Sequence, residues 1–241
     1  MTAGATYFLS NDCFVCRAQD YWIVLDTRRD RYSCVTHADL SSIGHRLFGW
    51  RSQSGVEEHI PPFAATEDAL ISSMKSTGII TSDSSKGKSF AESDCAPRDR
   101  ALNILSSSAP VERPPLCVLR FFLACLGVGW RLRTKQFSHT LARIEQRRLH
   151  VPPTAAVHDV AYISRLIAAF RDLRPLYPRS TLCLFDSLAL LEFLAKYGAV
   201  PQIIFGVIAD PFQAHCWLQH GSVVINDDLE RVGKYKPILS L

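Results

Sequence analysis

The chain has 241 residues, 47% of them hydrophobic and 21% charged, and it carries a formal net charge of +4. These are ordinary values for a globular protein with a sizeable core, and the net charge is too small to predict nucleic-acid binding. The eight cysteines form no even framework and the first residues lack a secretory pattern, so we expect a reducing cytoplasm.

Residues 1–81 are predicted to form a small unit of three strands and three helices. The predicted strands are 14–18, 21–26 and 31–36, the last two joined by a four-residue turn. Thr36 and Thr66 can each cap a helix, and Gly78 ends the second of these helices. The apolar positions recur at helical spacing: Leu40, Ile43, Leu47, Phe48, Leu70, Ile71 and Met74.

Cys13 and Cys16 lie three positions apart, with Cys34 and His37 as further candidate zinc ligands. A structural zinc site needs a second pair at ligand spacing, which this segment lacks. Two cysteines on or near a strand are more often half-buried side chains, so we expect no metal site.

Residues 82–115 contain eight serines and four prolines around one apolar island at 101–105, which favours at most one helical turn. This composition is typical of a linker, which we place at residues 82–112, before a second domain at 113–241. Such a tether would raise the local concentration of a captured peptide at the second domain.

The segment 113–150 is strongly basic, with Glu145 as its single acidic residue. Its eight basic residues are Arg113, Arg120, Arg131, Arg133, Lys135, Arg143, Arg147 and Arg148. The excess indicates a solvated helix face, which is the commoner case, or a surface for an acidic partner or a nucleotide. The sequence has no Walker loop and no G-x-G-x-x-G run, so no motif supports a phosphate site.

Residues 116–130 are rich in Leu, Phe and Val, but Arg120 interrupts the run and it is shorter than a membrane span. We therefore expect a buried or partner-facing helix and no membrane span.

A helix that is apolar nearly all round is predicted to begin near Cys183. Ser180 or Thr181 supplies an N-cap oxygen, and Gly198 ends the helix. If Ser180 is the cap, Cys183 is the third helical residue, where the helix dipole favours its thiolate form.

A histidine and an acid follow this helix on predicted strands. A three-residue turn between the strands would place His215 and Asp227 diagonally on one face, whereas a two-residue turn would place Asn226 opposite His215. Cys183, His215 and Asp227 are therefore candidates for nucleophile, base and orienting acid, with Asn226 as the alternative orienter.

A less specific interpretation of these residues stays open. A lone cysteine in an apolar helix is usually an inert core residue, and a histidine on a strand is often a hydrogen-bonded core group. Cys216 is expected to point away from the face of His215, which argues against it as the nucleophile.

The second domain carries a dense set of further motifs. They are Cys183-Leu184, Ser187-Leu188-Ala189-Leu190, Gly206-Val207, Pro211-Phe212, Ala214-His215, Trp217, Asn226-Asp227 and Tyr235 with Pro237-Ile238-Leu239. Together they resemble the lasso-peptide B proteins, which belong to the transglutaminase-like branch of the papain-type cysteine hydrolases. Cys216 is a departure, because that family more often has a small residue such as alanine there.

The resemblance implies a cysteine peptidase that removes the leader from a ribosomally made precursor peptide, with Cys183, His215 and Asp227 as its triad. It also implies a separate lasso cyclase as partner, and an ATP requirement that no residue here explains. The implied fold is α+β, with a helical first part and an antiparallel sheet in the second domain. An acyl transferase of the same fold and a non-catalytic peptide-binding scaffold are the alternatives.

The first unit, with its hairpin sequence from Leu25 to Tyr32, resembles the winged-helix peptide-recognition domains fused to such B proteins. In that family a leader segment adds as a strand beside the third strand and packs against the third helix, which is β-augmentation. The resemblance places the leader along Tyr32, Ser33, Cys34 and Val35 and against Leu70 and Met74. The alternative is a small packing domain that binds nothing.

Overall fold

The computed structural model describes residues 5–50, 67–92, 100–101, 116–149, 160–178 and 182–241. The chain divides into two compact units. The first comprises residues 1–94 with 207–213 and 236–239, and the second comprises the remaining residues.

The described part of residues 5–92 contains six strands and two α-helices. They are β1 (Phe8–Ser10), β2 (Cys13–Ala18), β3 (Tyr21–Asp26), β4 (Arg31–Thr36), α1 (His37–Ser42), α2 (Glu67–Ser76), β5 (Ile80–Thr81) and β6 (Gly87–Lys88). Short 3-10 turns lie at Gly44–Arg46 and Ser84–Lys86. Strands β2, β3 and β4 form an antiparallel sheet in that order, and β5, β1 and β6 form a second antiparallel sheet.

The three strands predicted for this unit are confirmed as β2, β3 and β4. The Oγ1 atom of Thr36 accepts a hydrogen bond from the Asp39 amide at 3.1 Å, so Thr36 caps α1 as predicted. Thr66, the other predicted cap, lies outside the described residues. Leu40 and Ile43 are buried in the core, as their spacing predicts, whereas Phe48 is exposed.

The second sheet of this unit escapes sequence reasoning, because its strands are two or three residues long and show no alternation. The unit therefore has more than the three predicted strands, and the winged-helix resemblance stays a prediction.

The predicted linker at 82–112 contributes to both units. Strand β6 pairs with β1, and Phe90 is buried in the core of the first unit. Residues Arg100–Ala101 form a short strand, β7, in the sheet that also contains the predicted catalytic strand. The rest of the predicted linker, residues 93–99 and 102–112, lies outside the described residues.

The remaining elements are helices followed by strands. They are α3 (Cys117–Thr134), α4 (Phe137–Leu149), α5 (Val160–Leu173), α6 (Cys183–Ala195), β8 (Gln202–Ile208), β9 (Gln213–His220), β10 (Val223–Val224), α7 (Leu229–Gly233) and β11 (Lys236–Ser240). The sheet order is β11-β8-β9-β10-β7. The pair β9–β10 is antiparallel, as predicted, but β7 pairs with β10 in parallel, so the sheet is not purely antiparallel.

Helix α6 is buried nearly all round, as its apolar sequence predicts. Helices α3 and α5 pack against it, with the rings of Phe121, Phe170 and Phe193 in successive contact at 5.3 and 5.5 Å between centroids. The end of α6 is a Schellman motif: Gly198 adopts a φ of 82°, and the Ala199 amide donates to the Leu194 carbonyl at 3.1 Å.

Helix α3 has one buried and one exposed face, which fits the expectation of a buried or partner-facing helix. Phe121, Cys125 and Val128 are buried, whereas Leu123 and Trp130 are more than half exposed. Of the helices in the described residues, none has the length and apolar character that crossing a bilayer requires.

Part of the basic segment has a structural role that neither interpretation of it predicts. Three arginines of α3 and α4 converge on Glu192 of α6, whose side chain is 12% exposed: Arg131 at 2.6 Å, Arg147 at 3.0 Å and Arg143 at 3.7 Å. This cluster joins two surface helices to the helix that begins at Cys183.

Candidate active site

Cys183 is the first residue of α6. Leu182 is the N-cap residue, with an extended backbone and no side-chain capping bond. A cap at Ser180 would make Cys183 the third helical residue, whereas the structure makes it the first. Residues 180 and 181 lie outside the described residues. The consequence for the thiol is the same, because amides throughout the first turn lack intrahelical partners and the helix dipole favours negative charge there.

His215 lies on β9, is 6% exposed and has one ring nitrogen bonded to an acid: its Nε2 atom is 2.5 Å from Oδ2 of Asp227. The imidazole also hydrogen bonds with Cys183. Because Nε2 is used by Asp227, Nδ1 is the ring nitrogen left to face the thiol. The structure thus brings Cys183, His215 and Asp227 together in the predicted order.

Two aromatic rings hold the imidazole in place. Trp217 stacks near the His215 ring at 6.3 Å between centroids, and Tyr235 lies at 5.1 Å. Gly206 of β8 makes room for both, because a Cβ atom there would lie 2.8 Å from Trp217 and 2.9 Å from Tyr235. Sequence reasoning did not assign these three residues a role, although a glycine inside an apolar strand signals a close approach of neighbouring groups.

Asp227 contacts His215 although the register of β9 and β10 is neither of the two predicted ones. The turn between β9 and β10 pairs His220 with Val223, so continued pairing would carry Asp227 away from His215. Instead the ladder ends after Ile225, and Oδ1 of Asn226 accepts a hydrogen bond from the Leu218 amide at 2.7 Å. This side chain replaces a backbone partner and allows the chain to bend.

Asn226 also answers the question of which residue orients the imidazole. Its Nδ2 atom donates to Oγ of Ser187 on α6 at 2.9 Å, so both ends of its amide are occupied away from His215. Ser187 in turn donates to the carbonyl of Cys216 at 3.2 Å. Asn226 and Ser187 therefore fix β9 against α6, and Asp227 is the residue that contacts the imidazole.

The electrostatics favour a charged Cys183–His215 pair. Hydrogen bonds from the Cys216 side chain and from His215 lower the pKa of Cys183 to about 4, against the opposing effect of burial. Burial alone would lower the pKa of His215, but its hydrogen bonds to Asp227 and Cys183 outweigh burial and raise that pKa to about 9. Between these values the site holds a thiolate and an imidazolium, the reactive form of a cysteine nucleophile.

Cys216, predicted to point away from the face of His215, contacts the candidate nucleophile. Its side chain hydrogen bonds to Cys183, and its backbone also contributes a hydrogen bond to that sulfur. The bond to Cys183, together with burial, raises the pKa of Cys216 well above its ordinary value. Cys216 is thus a neutral thiol donor beside a thiolate.

These groups line a cleft of about 250 Å³. Its lining residues are Cys183, Asp186, Ser187, His215, Cys216, Asn226, Asp227 and Arg231. Asp186 is paired with Arg174 at 2.6 Å, whereas Arg231 is 61% exposed and lies 3.8 Å from Asp227. Cys183 itself is exposed, so the thiol is open to a substrate.

The predicted peptide-binding residues divide into two groups. Tyr32, Ser33, Cys34 and Val35 lie on β4, which is the edge of its sheet in the described part of the chain, and Cys34 is exposed. The Tyr32 ring contacts that of Phe212, a residue grouped in the same unit, at 5.4 Å between centroids.

The two residues of α2 in this prediction, Leu70 and Met74, differ in how deeply they are buried. Met74 of α2 is 2% exposed and belongs to the core of its own unit, so it is not a surface for a peptide, which corrects that assignment. Leu70, one turn earlier, is only partly buried against the same core.

The cysteines of the first unit do not form a metal site in the described residues. Burial raises the pKa of Cys13 and of Cys16 to about 12, which keeps both as thiols. The Nδ1 atom of His37 accepts a hydrogen bond from the Trp22 indole at 3.0 Å. Across the described residues, no three His, Cys, Asp or Glu side chains are grouped to hold a metal ion.

Residues 122–240 match the model of a protein family described as the transglutaminase-like superfamily. That superfamily includes cysteine peptidases and acyl transferases. A comparison with curated proteins finds no match, and neither does a comparison with solved structures. The matched range includes Cys183, His215 and Asp227.

Proposed function

We propose that this chain, which carries a transglutaminase-like superfamily domain over residues 122–240, is a cysteine peptidase that removes the leader from a ribosomally made lasso precursor peptide. One observation carries the chemistry. The exposed thiol of Cys183 hydrogen bonds to His215, whose other nitrogen is hydrogen bonded to the carboxylate of Asp227, a side chain that is 12% exposed. This is the nucleophile, base and orienter arrangement of cysteine hydrolases.

In the proposed reaction, the Cys183 thiolate attacks the carbonyl carbon of the leader–core bond. His215, protonated in the resting pair, gives its proton to the departing core amine, and the leader remains as a thioester on Cys183. His215 then takes a proton from water, which attacks the thioester and releases the leader with a free carboxylate. Asp227 fixes the imidazole orientation and stabilises its charged form throughout.

The charge that develops on the carbonyl oxygen needs a donor. The backbone amide of Cys183 lies in the first turn of α6, among the amides that have no intrahelical partner, and it is adjacent to the attacking sulfur. We assign it as one oxyanion donor.

The first unit supplies substrate capture in this proposal. A leader segment adds as a strand along the edge of β4, where main-chain hydrogen bonds give affinity and the side chains of Tyr32 and Val35 give selectivity. Its capture would raise the concentration of the precursor at Cys183. The freed core then passes to a separate lasso cyclase, and the ATP requirement implied by the resemblance stays a prediction without an assigned site.

Substitution of the nucleophile tests the proposal. When a lasso precursor is incubated with the Cys183→Ala variant, the rate of leader removal should be more than about 10³-fold lower than with the unmodified chain. Cys125→Ala, which removes a buried cysteine of the same unit outside the cleft, should cleave normally. Undiminished cleavage by Cys183→Ala would refute the peptidase.

The mass of the released leader separates hydrolysis from acyl transfer. Hydrolysis leaves a free carboxylate, whereas transfer to an added amine leaves an amide of higher mass. A leader recovered mainly as the amide would replace the peptidase by an acyl transferase acting through the same thioester.

Leader capture at β4 has an independent readout in Cys34, the exposed thiol of that strand. In a Cys183→Ala background, a synthetic leader peptide should slow alkylation of Cys34 several-fold, while a scrambled peptide should not. Equal protection by both peptides, or by neither, would contradict β-augmentation at this edge.

A further inference from the structure

The candidate active site contains a second thiol that the proposed reaction does not consume. Cys216 is 3% exposed, lines the same cleft as Cys183 and hydrogen bonds to it through its side chain. Neither cysteine is in a disulfide. An exposed, reactive thiolate beside a buried thiol is the arrangement of a peroxide-sensitive cysteine with its resolving partner.

We propose that Cys183 and Cys216 form a reversible disulfide when a peroxide oxidises Cys183, so that this pair is a redox modification site within the cleft. The disulfide removes the nucleophile from use while protecting it from irreversible oxidation. The inference concerns the two sulfurs alone and does not depend on which peptide the chain cleaves.

The chemistry balances with hydrogen peroxide as the oxidant. The Cys183 thiolate attacks one peroxide oxygen, the O–O bond breaks, and uptake of one proton yields a sulfenic acid and water. The Cys216 sulfur then attacks the Cys183 sulfur, the S–O bond breaks, and the Cys216 proton leaves with the hydroxide as a second water. A reducing dithiol reverses the change by thiol–disulfide exchange and is itself oxidised to a disulfide.

Oxidation of Cys183 makes the Cys216 thiol easier to deprotonate, which is the change that the second step needs. Its pKa is raised first by the hydrogen bond to the Cys183 thiolate and then by burial. Oxidation of Cys183 to the uncharged sulfenic acid removes the first of these causes, so the Cys216 proton becomes easier to lose at the moment when Cys216 must attack.

The surrounding structure fixes the backbone of Cys216 against the helix that begins at Cys183 and leaves the other described cysteines of this unit outside the cleft. The carbonyl of Cys216 accepts a hydrogen bond from Ser187 of α6, the helix that begins at Cys183. Cys117 and Cys125, the other described cysteines of this unit, are buried in α3 and do not line the cleft. Cys216 is therefore the described thiol placed to resolve an oxidised Cys183.

Peptide mapping of the purified full chain tests the inference without a peptidase assay. After treatment with hydrogen peroxide and blocking of the remaining thiols, the digest should contain one species that links the Cys183 and Cys216 peptides. Dithiothreitol should release the two peptides and restore alkylation of Cys183 by iodoacetamide.

Two variants sharpen the test. Cys216→Ala should show no linked species, and its Cys183 should pass to sulfinic and sulfonic acids that dithiothreitol cannot reverse, several-fold faster than in the unmodified chain. Cys125→Ala, the matched loss of a buried cysteine outside the cleft, should behave as the unmodified chain does.

Two outcomes would overturn the inference. The first is irreversible oxidation of Cys183 in the unmodified chain without any linked species, and the second is a link from Cys183 to a cysteine other than Cys216. Because the first measurement uses the unmodified chain, it decides the matter even if a variant fails to fold. If the Cys183→Ala variant refutes the peptidase, the outcome of this oxidation experiment is unaffected.

Discussion

Nε2 of His215 and Oδ2 of Asp227 are 2.5 Å apart, although the two residues are not partners in any strand ladder. The contact exists because the chain leaves the ladder at Asn226, whose side chain bonds to the Leu218 amide that a strand would otherwise use. The acid that orients the imidazole is therefore positioned by a neighbouring amide and not by strand register.

Removal of the charge on Asp227 should shift the pH range of activity. The carboxylate helps to raise the pKa of His215 to about 9, so Asp227→Asn should move the basic limb of the kcat/KM profile to lower pH. The acidic limb, set by Cys183 near pH 4, should move far less. We expect kcat to fall by about 10²-fold or more, because the imidazole loses its orienting partner.

The neighbouring acid is a matched control for this experiment. Asp228 caps α7 by accepting a hydrogen bond from the Glu230 amide at 2.7 Å, a role that asparagine fills equally well. Asp228→Asn should therefore keep both limbs in place. A basic limb that stays near pH 9 in Asp227→Asn would contradict the assigned role of Asp227.

A methyl group at Gly206 should disturb the imidazole from behind. The new Cβ would lie under 3.0 Å from the ring of Trp217 and from the Cβ atom of Tyr235, the two aromatic residues that flank His215. Gly206→Ala should cost on the order of 1–3 kcal/mol in the free energy of unfolding, as overpacked cores do, and should lower kcat more than it raises KM. Thermal or denaturant unfolding and steady-state kinetics measure the two effects.

Gly127 offers the comparison, because a Cβ atom there meets nothing within 4 Å in the middle of α3. Gly127→Ala should keep full activity and gain up to about 1 kcal/mol from better helix propensity. If Gly206→Ala and Gly127→Ala have the same kcat and the same free energy of unfolding, the packing of Trp217 and Tyr235 against His215 does not contribute to activity.

Loss of the Glu192 carboxylate should loosen the helical part of the second unit. Glu192→Gln leaves Arg131, Arg147 and Arg143 facing one another without their common acid, and the loss of one partner from such a cluster costs on the order of 3 kcal/mol. The melting temperature should fall accordingly. Glu145→Gln makes the same change at an exposed position of α4, and the melting temperature of this variant should equal that of the unmodified chain within experimental error. Equal melting temperatures for the two variants would show that the cluster contributes no stability.

Much of the fold follows from local sequence signals. The strands β2, β3 and β4, the Thr36 cap and the buried helix α6 were all predicted, because each rests on hydrophobic periodicity or on a turn or cap residue. The second sheet of the first unit and the strand at Arg100–Ala101 were not. They consist of two- and three-residue strands whose pairing is decided by residues far away in the chain.

The site shows the same limit at the level of single side chains. Spacing and family motifs led to Cys183, His215 and Asp227, but not to the contact between Cys216 and Cys183. Strand alternation predicts Cys216 on the face away from His215, but it gives no sign that the Cys216 side chain meets Cys183, the first residue of α6. The helix at residue 183 lies next to this strand only in the folded chain, so no local pattern could show that Cys216 meets Cys183.

The central claim is that Cys183 is a thiolate held by Cys216 and His215, and the pH dependence of its alkylation tests this claim most directly. With iodoacetamide and peptide-resolved mass spectrometry, the rate at Cys183 should rise through an inflection near pH 4. Cys34, whose pKa burial raises, should react through an inflection above the ordinary thiol range of about 8.5 in the same sample. An inflection for Cys183 at about 8.5 or higher would contradict an activated nucleophile at this position.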